Sequence, residues 1–561
     1  MFTKHVSSFK LSYLLFLAAL LAGCGGGKTP KPPAQVAAPP APVSSANDQM
    51  ADVTREAGIQ YKWEIKGVRP HTILQTIGNG VAFLDYNQDG NLDILLVGPK
   101  LALYQGDGKG KFKDVTAEAG LDALKGDFLG CATGDYDNDG FPDVYLTAYR
   151  GGALLHNEGG KRFSDVTALS GIKAQPWGSS AAFTDIDNDG KLDLYIGNYV
   201  IFGPDVKPQL CDFGGKMSSC GPRLYAPEKG VLYHNDGAGK FTEITEKAGA
   251  TGVSGKALGV AALDFDDSGR PSIAIANDEM AGDLLLNRNG KFTSAGVSAN
   301  IAYDRESAVH GGMGIDWGDY DNDGKPDLVV ATFEQEPKSI YHNIGGGIFE
   351  ERSIELGVAG ATRPYVAFGV KWIDYDNDGW LDLVFANGHV QDNIKDVQNS
   401  VYQQPAQLLH NEGGTKFTDA GAQLGSFFQK KIVGRGLAVG DFDNDGKMDM
   451  LIVDSEGEPI LLHNRVKSSG HWLGLRLVGT KSNRDAIGAK VIVTAEGRKL
   501  TRYCKTDGSY MSASDVRVHV GLGRATAADV TVKWTSGATN TYKGVAVDRY
   551  LTLKEGDSVA K

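Results

Sequence analysis

The nonapeptide "DYDNDGFPD" (135–143) sets four aspartates at alternate positions around one glycine. Free carboxylates that close repel one another, so the arrangement calls for a cation. Asp135, Asp137 and Asp139 stand at loop positions one, three and five. Phe141 can offer its main-chain carbonyl at position seven, and Asp143 can close the shell at position nine. An all-oxygen, flexible shell suits Ca²⁺ better than Mg²⁺ or a transition metal. Gly140 permits the sharp turn, because glycine tolerates positive φ. An EF-hand loop begins alike but runs to twelve residues, ends in Glu and lies between helices. Here the ninth residue closes the loop, and the flanks "GCATG" and "VYLTAY" suit strands. The motif reads as a calcium-binding β-hairpin loop.

Six more copies follow the same spacing. The first offers Asp85, Asn87, Asp89, Asn91 and Asp93, and the third Asp185, Asp187, Asp189, Lys191 and Asp193. The fifth offers Asp319, Asp321, Asp323, Lys325 and Asp327. The sixth offers Asp374, Asp376, Asp378, Trp380 and Asp382, and the seventh Asp441, Asp443, Asp445, Lys447 and Asp449. The fourth, "DFDDSGRPS" (264–272), differs: Ser268 and Ser272 replace two carboxylates and Arg270 sits among the ligands. It is expected to be empty, which leaves about six Ca²⁺ ions.

Each loop must be held by strands. Five residues before its first Asp stands Gly80, Gly130, Ser180, Gly259, Gly314, Gly369 or Gly436, small enough for crowded inner strands. A second apolar run follows the loop, then a third ending in Asn/Gly turn chemistry such as "LLHNEGG", then a short fourth such as "FSDVT". Four strands at a period near 50 residues make a propeller blade, and seven loops make seven blades. After the seventh "LLHN" (461–464) no fourth strand follows; "ADVTREAGI" (51–59) stands alone at the other end and is expected to complete that blade. The remainder, 468–561, has no such loops and reads as a separate small β domain. The fold class is thus all-β: a seven-bladed propeller over 50–467 with calcium-binding hairpin loops, then a small C-terminal β domain.

The chain opens with a basic n-region, an apolar run too short to span a bilayer, and "LAGC" (21–24), which matches a lipoprotein processing site. Residues 1–23 are expected to be removed and Cys24 lipidated, with 24–49 a Gly/Pro/Ala-rich tether. That address is a bacterial cell envelope at the outer membrane, facing the periplasm or the outside. Without the leader, with Lys4 and Lys10, the formal charge of −12 becomes −14, and the six intact loops hold 23 carboxylates. Six divalent ions would leave about −2, so the acidity is ion-site charge. It argues against nucleic acid as a partner. Cys211 and Cys220 lie in one insertion of an exported chain, where a disulfide is expected. Cys131 matches apolar positions of the other repeats and reads as a core thiol; Cys504 has no evident partner.

Two long insertions, 199–230 and 388–406, fall on the face opposite the loops, where function tends to sit on a rigid scaffold. His156, His234, His342, His410 and His463 recur in the "HN" step and read as repeat structure. His71, His310 and His389 do not recur and belong to the insertion-bearing face, near Glu334 or Asp392. Two readings stand. One is a calcium-rigidified, lipid-anchored binding module engaging a protein or glycan. The other is an enzyme using the face with His71, His310 and His389. No Ser-His-Asp elbow, P-loop, dinucleotide fingerprint or HExxH is present in the sequence, which favours binding.

The repeats resemble the FG-GAP/VCBS repeats of integrin α-chain heads. The tail resembles the ASPIC/UnbV domain of cartilage-acidic-protein-like bacterial proteins, through "GTKSNRDAIGAKVIV" (479–493), "GSYMSASDVRVHVGLG" (508–523) and "VKWTSG" (532–537); the family pattern usually has Pro where Thr535 stands. The resemblance implies a propeller with calcium in the loops of one face and ligands at the other. It implies no common enzymatic activity.

Overall fold

A computed structural model describes residues 47–252, 255–467 and 470–560. The signal segment, Cys24 and most of the expected tether lie outside these residues. Each blade is an antiparallel four-stranded unit, innermost strand first. The fifth blade, for instance, runs Ile315–Gly318, Asp327–Val330, Ser339–Gly345 and Ile348–Glu351. Seven such units follow one another, and the second and third are joined into one sheet by pairs such as Trp177↔Tyr149. Strand interiors are aliphatic on both faces, as blades stacked between neighbours require.

The seventh blade takes its outer strand from the N-terminus. Met50–Asp52 pairs antiparallel with Ile460–Asn464 in the register Met50↔Asn464, Ala51↔His463 and Asp52↔Leu462. This N-terminal strand thus fastens to the last blade, and no open edge remains there. The attachment starts before residue 50: Gln49 N donates to Leu424 O at 2.8 Å, and Ser426 Oγ to Asp48 at 2.6 Å.

The C-terminal part forms two sheets, of three and four strands, around its own core of Leu473, Leu475, Val491, Val493, Val530 and Val532. It is a small β domain, but it is not separate from the propeller. Its segment 506–515 lies along the inner strands of the propeller and bonds every blade. Ala513 exchanges main-chain bonds with Val81 and Phe83 in the first, and Cys131 N donates to Met511 O in the second. Met511 N donates to Ser180 Oγ in the third, and Ala262 N to Asp507 in the fourth. Ser509 and Ile315 pair in the fifth, Lys371 Nζ donates to Asp507 O in the sixth, and Asp515 N to Val439 O in the seventh. Tyr510 and Met511 are fully buried, with Ile77, Trp177, Leu258, Met313 and Phe368. The small residues read as crowding at the inner strands therefore have a concrete neighbour. A Cβ at Gly80 or Gly130 would run into Met511, and one at Gly436 would meet Ser512.

Candidate functional site

The loops share one backbone shape. Position four adopts positive φ at Gln88, Asn138, Asn188, Asp267, Asn322, Asn377 and Asn444, and position six at a glycine in every copy. Asn and Asp tolerate that region better than other non-glycine residues, which explains the recurrent Asn. The position-four amide also ties loop to loop. Asn138 donates to Gly190 O at 2.9 Å, Asn322 to Gly379 O at 3.0 Å and Asn377 to Gly446 O at 2.9 Å.

Within a loop the carboxylates are oriented by backbone donors. Gly324 N and Gly379 N donate to Oδ2 of Asp319 and Asp374 at 3.1 and 3.0 Å. The second oxygens of Asp319 and Asp374, and Oδ1 of Asp443, are buried with no hydrogen-bond donor. A buried carboxylate oxygen without a donor is costly, and a cation is the partner it fits. Position nine is built the same way: Asp327 accepts from Tyr320 N and Asn343 N, and Asp382 from Tyr375 N and Asn411 N. Burial pushes Asp93 and Asp135 up to about 8, Asp143, Asp319 and Asp382 to about 7, and Asp185 and Asp441 to about 6. These groups resist ionisation until positive charge arrives. The residues therefore fit Ca²⁺: oxygen donors, orphaned lone pairs and a fixed nine-residue frame.

The fourth loop differs as its sequence implies. Ser272 Oγ replaces the position-nine carboxylate and accepts from Asn287 N at 3.1 Å. The Arg288 guanidinium lies 2.5 Å from Asp266 and supplies a built-in cation.

The repeat histidines are closer to the chemistry than the sequence suggested. His156 Nδ1 lies 3.3 Å from both Asp137 and Asp143, and His342 Nδ1 lies 3.0 Å from Asp327. His234, His410 and His463 approach Asp187, Asp382 and Asp443 at 3.2, 3.1 and 3.0 Å. The adjacent Asp143 carboxylate holds His156 up at about 9, and the hydrogen bond to Asp382 does the same for His410. The "HN" step thus gives each of five loops an imidazole beside position three, and His156, His342 and His410 lie beside position nine as well. Its asparagine staples blades: Asn157 Nδ2 donates to Tyr86 O of the preceding loop at 2.8 Å, and Asn411 Nδ2 to Tyr320 O at 2.9 Å. The recurrence itself was the available signal.

On the opposite face the two insertions meet. The hairpin Leu210–Asp212/Met217–Ser219 is closed by the Cys211–Cys220 disulfide. Ser218 Oγ donates to Asn393 Oδ1 at 2.6 Å, and Gln391 Nε2 to Ser219 O at 3.1 Å, so the insertion of the third blade reaches that of the sixth. Beneath them Arg435 is fully buried and donates to Thr76, Gly388 and His389 carbonyls while lying 3.9 Å over the Phe368 ring. The three non-repeat histidines do not converge. His71 is buried 3.8 Å from Glu456, with Asp392 accepting from its main-chain N–H. His310 lies between Asp304 and Glu336 at 3.3 and 3.6 Å. His389 accepts from Gln391 N at 3.0 Å and faces Glu334 at 3.6 Å. Each ring has its own acidic neighbours, and no carboxylate is shared among the three in the described residues. Beside this face a cavity of about 510 Å³ is walled by Tyr61, Trp63, Phe128 and Tyr149, with Lys62 and Lys66 among its lining.

Two protein families match parts of this chain. The FG-GAP-like repeat family matches residues 85–146, 135–196, 264–330 and 319–385, and the ASPIC and UnbV family matches 479–560. The chain is 24% identical to cartilage acidic protein 1 of Mus musculus over 492 residues, covering 82% of this chain and 70% of that protein. The Homo sapiens protein is also 24% identical, with 82% and 69% covered. Among solved structures, an Agrocybe aegerita lectin recognising non-reducing terminal N-acetylglucosamine aligns with TM-score 0.39 at 15% identity, over 70% of this chain and 95% of that one. YCF48 from Cyanidioschyzon merolae aligns with TM-score 0.36 at 9% identity, over 72% and 99%. The chain carries FG-GAP-like repeats followed by a C-terminal ASPIC and UnbV domain, and it is homologous over most of its length to cartilage acidic protein 1.

Proposed function

We propose that this protein is a non-enzymatic interaction module, rigidified by about six Ca²⁺ ions, tethered to the envelope through lipidated Cys24, and engaging a protein partner through the face opposite the loops. The observation that carries the reading is the division of labour between faces. One face is a ring of oriented carboxylates with orphaned oxygens. The other gathers exposed apolar side chains on its 199–230 insertion: Ile201, Phe213, Met217 and Leu224. Large exposed apolar groups on a braced surface mark an interaction site. The enzymatic alternative draws no support from His71, His310 and His389, whose neighbours differ.

Metal analysis after dialysis against calcium should give about six ions per chain; zero or one removes the calcium part of the reading. Cross-linking to native envelope should capture a protein through wild type and not through Phe213→Ser/Leu224→Ser. Ile348→Ser, on an outer strand, serves as control. Equal capture by all three rules out this face. Mass spectrometry of the mature N-terminus should find acyl chains on Cys24, and an unmodified thiol refutes the anchor.

A further inference from the structure

The C-terminal domain rests on the candidate calcium ring itself. Its anchoring groups reach the position-four side chains of five loops. Arg484 N donates to Asn138 Oδ1 at 2.7 Å, Lys490 lies 2.9 Å from Asp267, and Arg502 reaches Asn322 Oδ1. His519 Nε2 is 2.7 Å from Asn377 Oδ1, and Arg517 donates to Asn444 Oδ1 at 2.6 Å. Other bonds go to loop carbonyls: Arg498 to Asp378 O, Arg502 to Gly379 O and Arg517 to Asp441 O, at 3.1, 3.1 and 2.8 Å. The Tyr550 hydroxyl donates to Asp441 Oδ2 at 2.6 Å, and Asp485 accepts from Asp135 N at 2.8 Å.

We propose that the C-terminal domain is a calcium-dependent stopper: metal occupancy of the loops and insertion of segment 506–515 along the inner strands are linked, each strengthening the other. This rests on the calcium reading above.

Two effects oppose each other. The seat brings several cations toward acidic loops, so charge alone would favour docking on metal-free loops. The geometry opposes that. Most seat bonds end on backbone carbonyls and position-four amides, whose places depend on the loop keeping its positive-φ frame. A loop with mutually repelling carboxylates loses that frame, and several directional bonds fail together. Arg502 is buried and Arg517 nearly so, and for such groups attraction without a formed hydrogen bond leaves the charge uncompensated. Loop order therefore decides the sign. By linkage, a domain that binds the ordered loops better must raise their affinity for metal by the same factor.

Hydrogen exchange on the full chain tests this, with bound calcium counted in the same samples. The amides of Ser509, Ala513 and Asp515 donate to the inner-strand carbonyls of Ile315, Val81 and Val439, and that of Met511 to Ser180 Oγ. They should exchange at least about tenfold faster after metal removal. Unchanged protection with the ions shown to have left overturns the linkage, and so does stronger protection without metal. If no ions bind at all, the calcium reading fails, and its count says so independently. The reciprocal arm uses Tyr510, which touches Ile77 O and the Phe368 ring rather than a loop. Tyr510→Ala should weaken calcium binding severalfold. Tyr510→Phe, which loses only the bond to Ile77, should show a smaller shift in the same direction. Calcium isotherms identical to wild type for both variants overturn the proposal.

Discussion

At the scale of residues, the loop carboxylates set two expectations. In Asp319 and Asp374 one oxygen holds the loop and the other is buried without a donor. Asp374→Asn should therefore reduce the calcium count by one. A site tenfold saturated adds roughly 1.4 kcal/mol, so the melting temperature in calcium should fall by the equivalent of that amount. Asp264→Asn in the fourth loop should change neither number, because Arg288 already faces Asp266. A drop in count there refutes the assignment of that loop as metal-free. The second expectation concerns pH. Burial raises the folded-state pKa of Asp185 to about 6, of Asp319 to about 7 and of Asp93 to about 8. A raised folded pKa favours the folded state below the unfolded value near 4, and that stability is lost as pH rises through the folded value. Metal-free protein should thus melt at progressively lower temperature from pH 5 to pH 8, while calcium-loaded protein should not. The gap between the two curves should widen with pH; a flat gap places the ions elsewhere.

At the scale of elements, much was legible because the sequence repeats its own experiment. Seven loops, seven third strands and six fourth strands left one strand missing, and Met50–Asp52 fills the place. What escaped were contacts between elements distant in sequence. Nothing local in "HN" says that the asparagine bonds the preceding loop, or that the histidine reaches its own blade's carboxylates. The first needs the packing of adjacent blades, and the second needs the pairing of strands within one blade. The segment 506–515 was illegible for a different reason: its residues are small, polar and aromatic without period, since they fit a closed ring and not a sheet face. The staple makes a clean test. Asn411 Nδ2 bonds both Tyr320 O and Leu381 O, in the blade before and its own. Asn411→Ala should cost about 1–3 kcal/mol in chemical denaturation, because buried carbonyls are left without donors. A loss under 0.5 kcal/mol would mean that water replaces the bond. The closure behaves likewise: removing residues up to 46 should leave stability unchanged, and removing residues up to 59 should expose the seventh blade to protease. Equal melting of the two shortened chains counts against closure.

At the scale of the whole molecule, two regions that read as separate domains share a core. Tyr510 and Met511 belong to the C-terminal domain by sequence, yet they are buried with Trp177, Leu258 and Phe368 of three different blades. Ordinary two-domain proteins melt in steps, because interdomain contacts are few and polar. Here the contact includes bonds from one short segment to all seven blades. Neither part can open without leaving inner-strand donors such as Cys131 N and Phe83 N unpaired. The calcium-loaded protein should therefore show one calorimetric transition, not two. Met511→Asp would bury an unpaired charge and remove about 2–3 kcal/mol of apolar burial, so a total loss of roughly 3–5 kcal/mol is expected. That loss should move the single transition as a whole. Two transitions in the wild type, with only the smaller one shifted by Met511→Asp, would show that the propeller keeps its stability without the segment along its inner strands. The coupling argued from those bonds would then be local to the C-terminal domain.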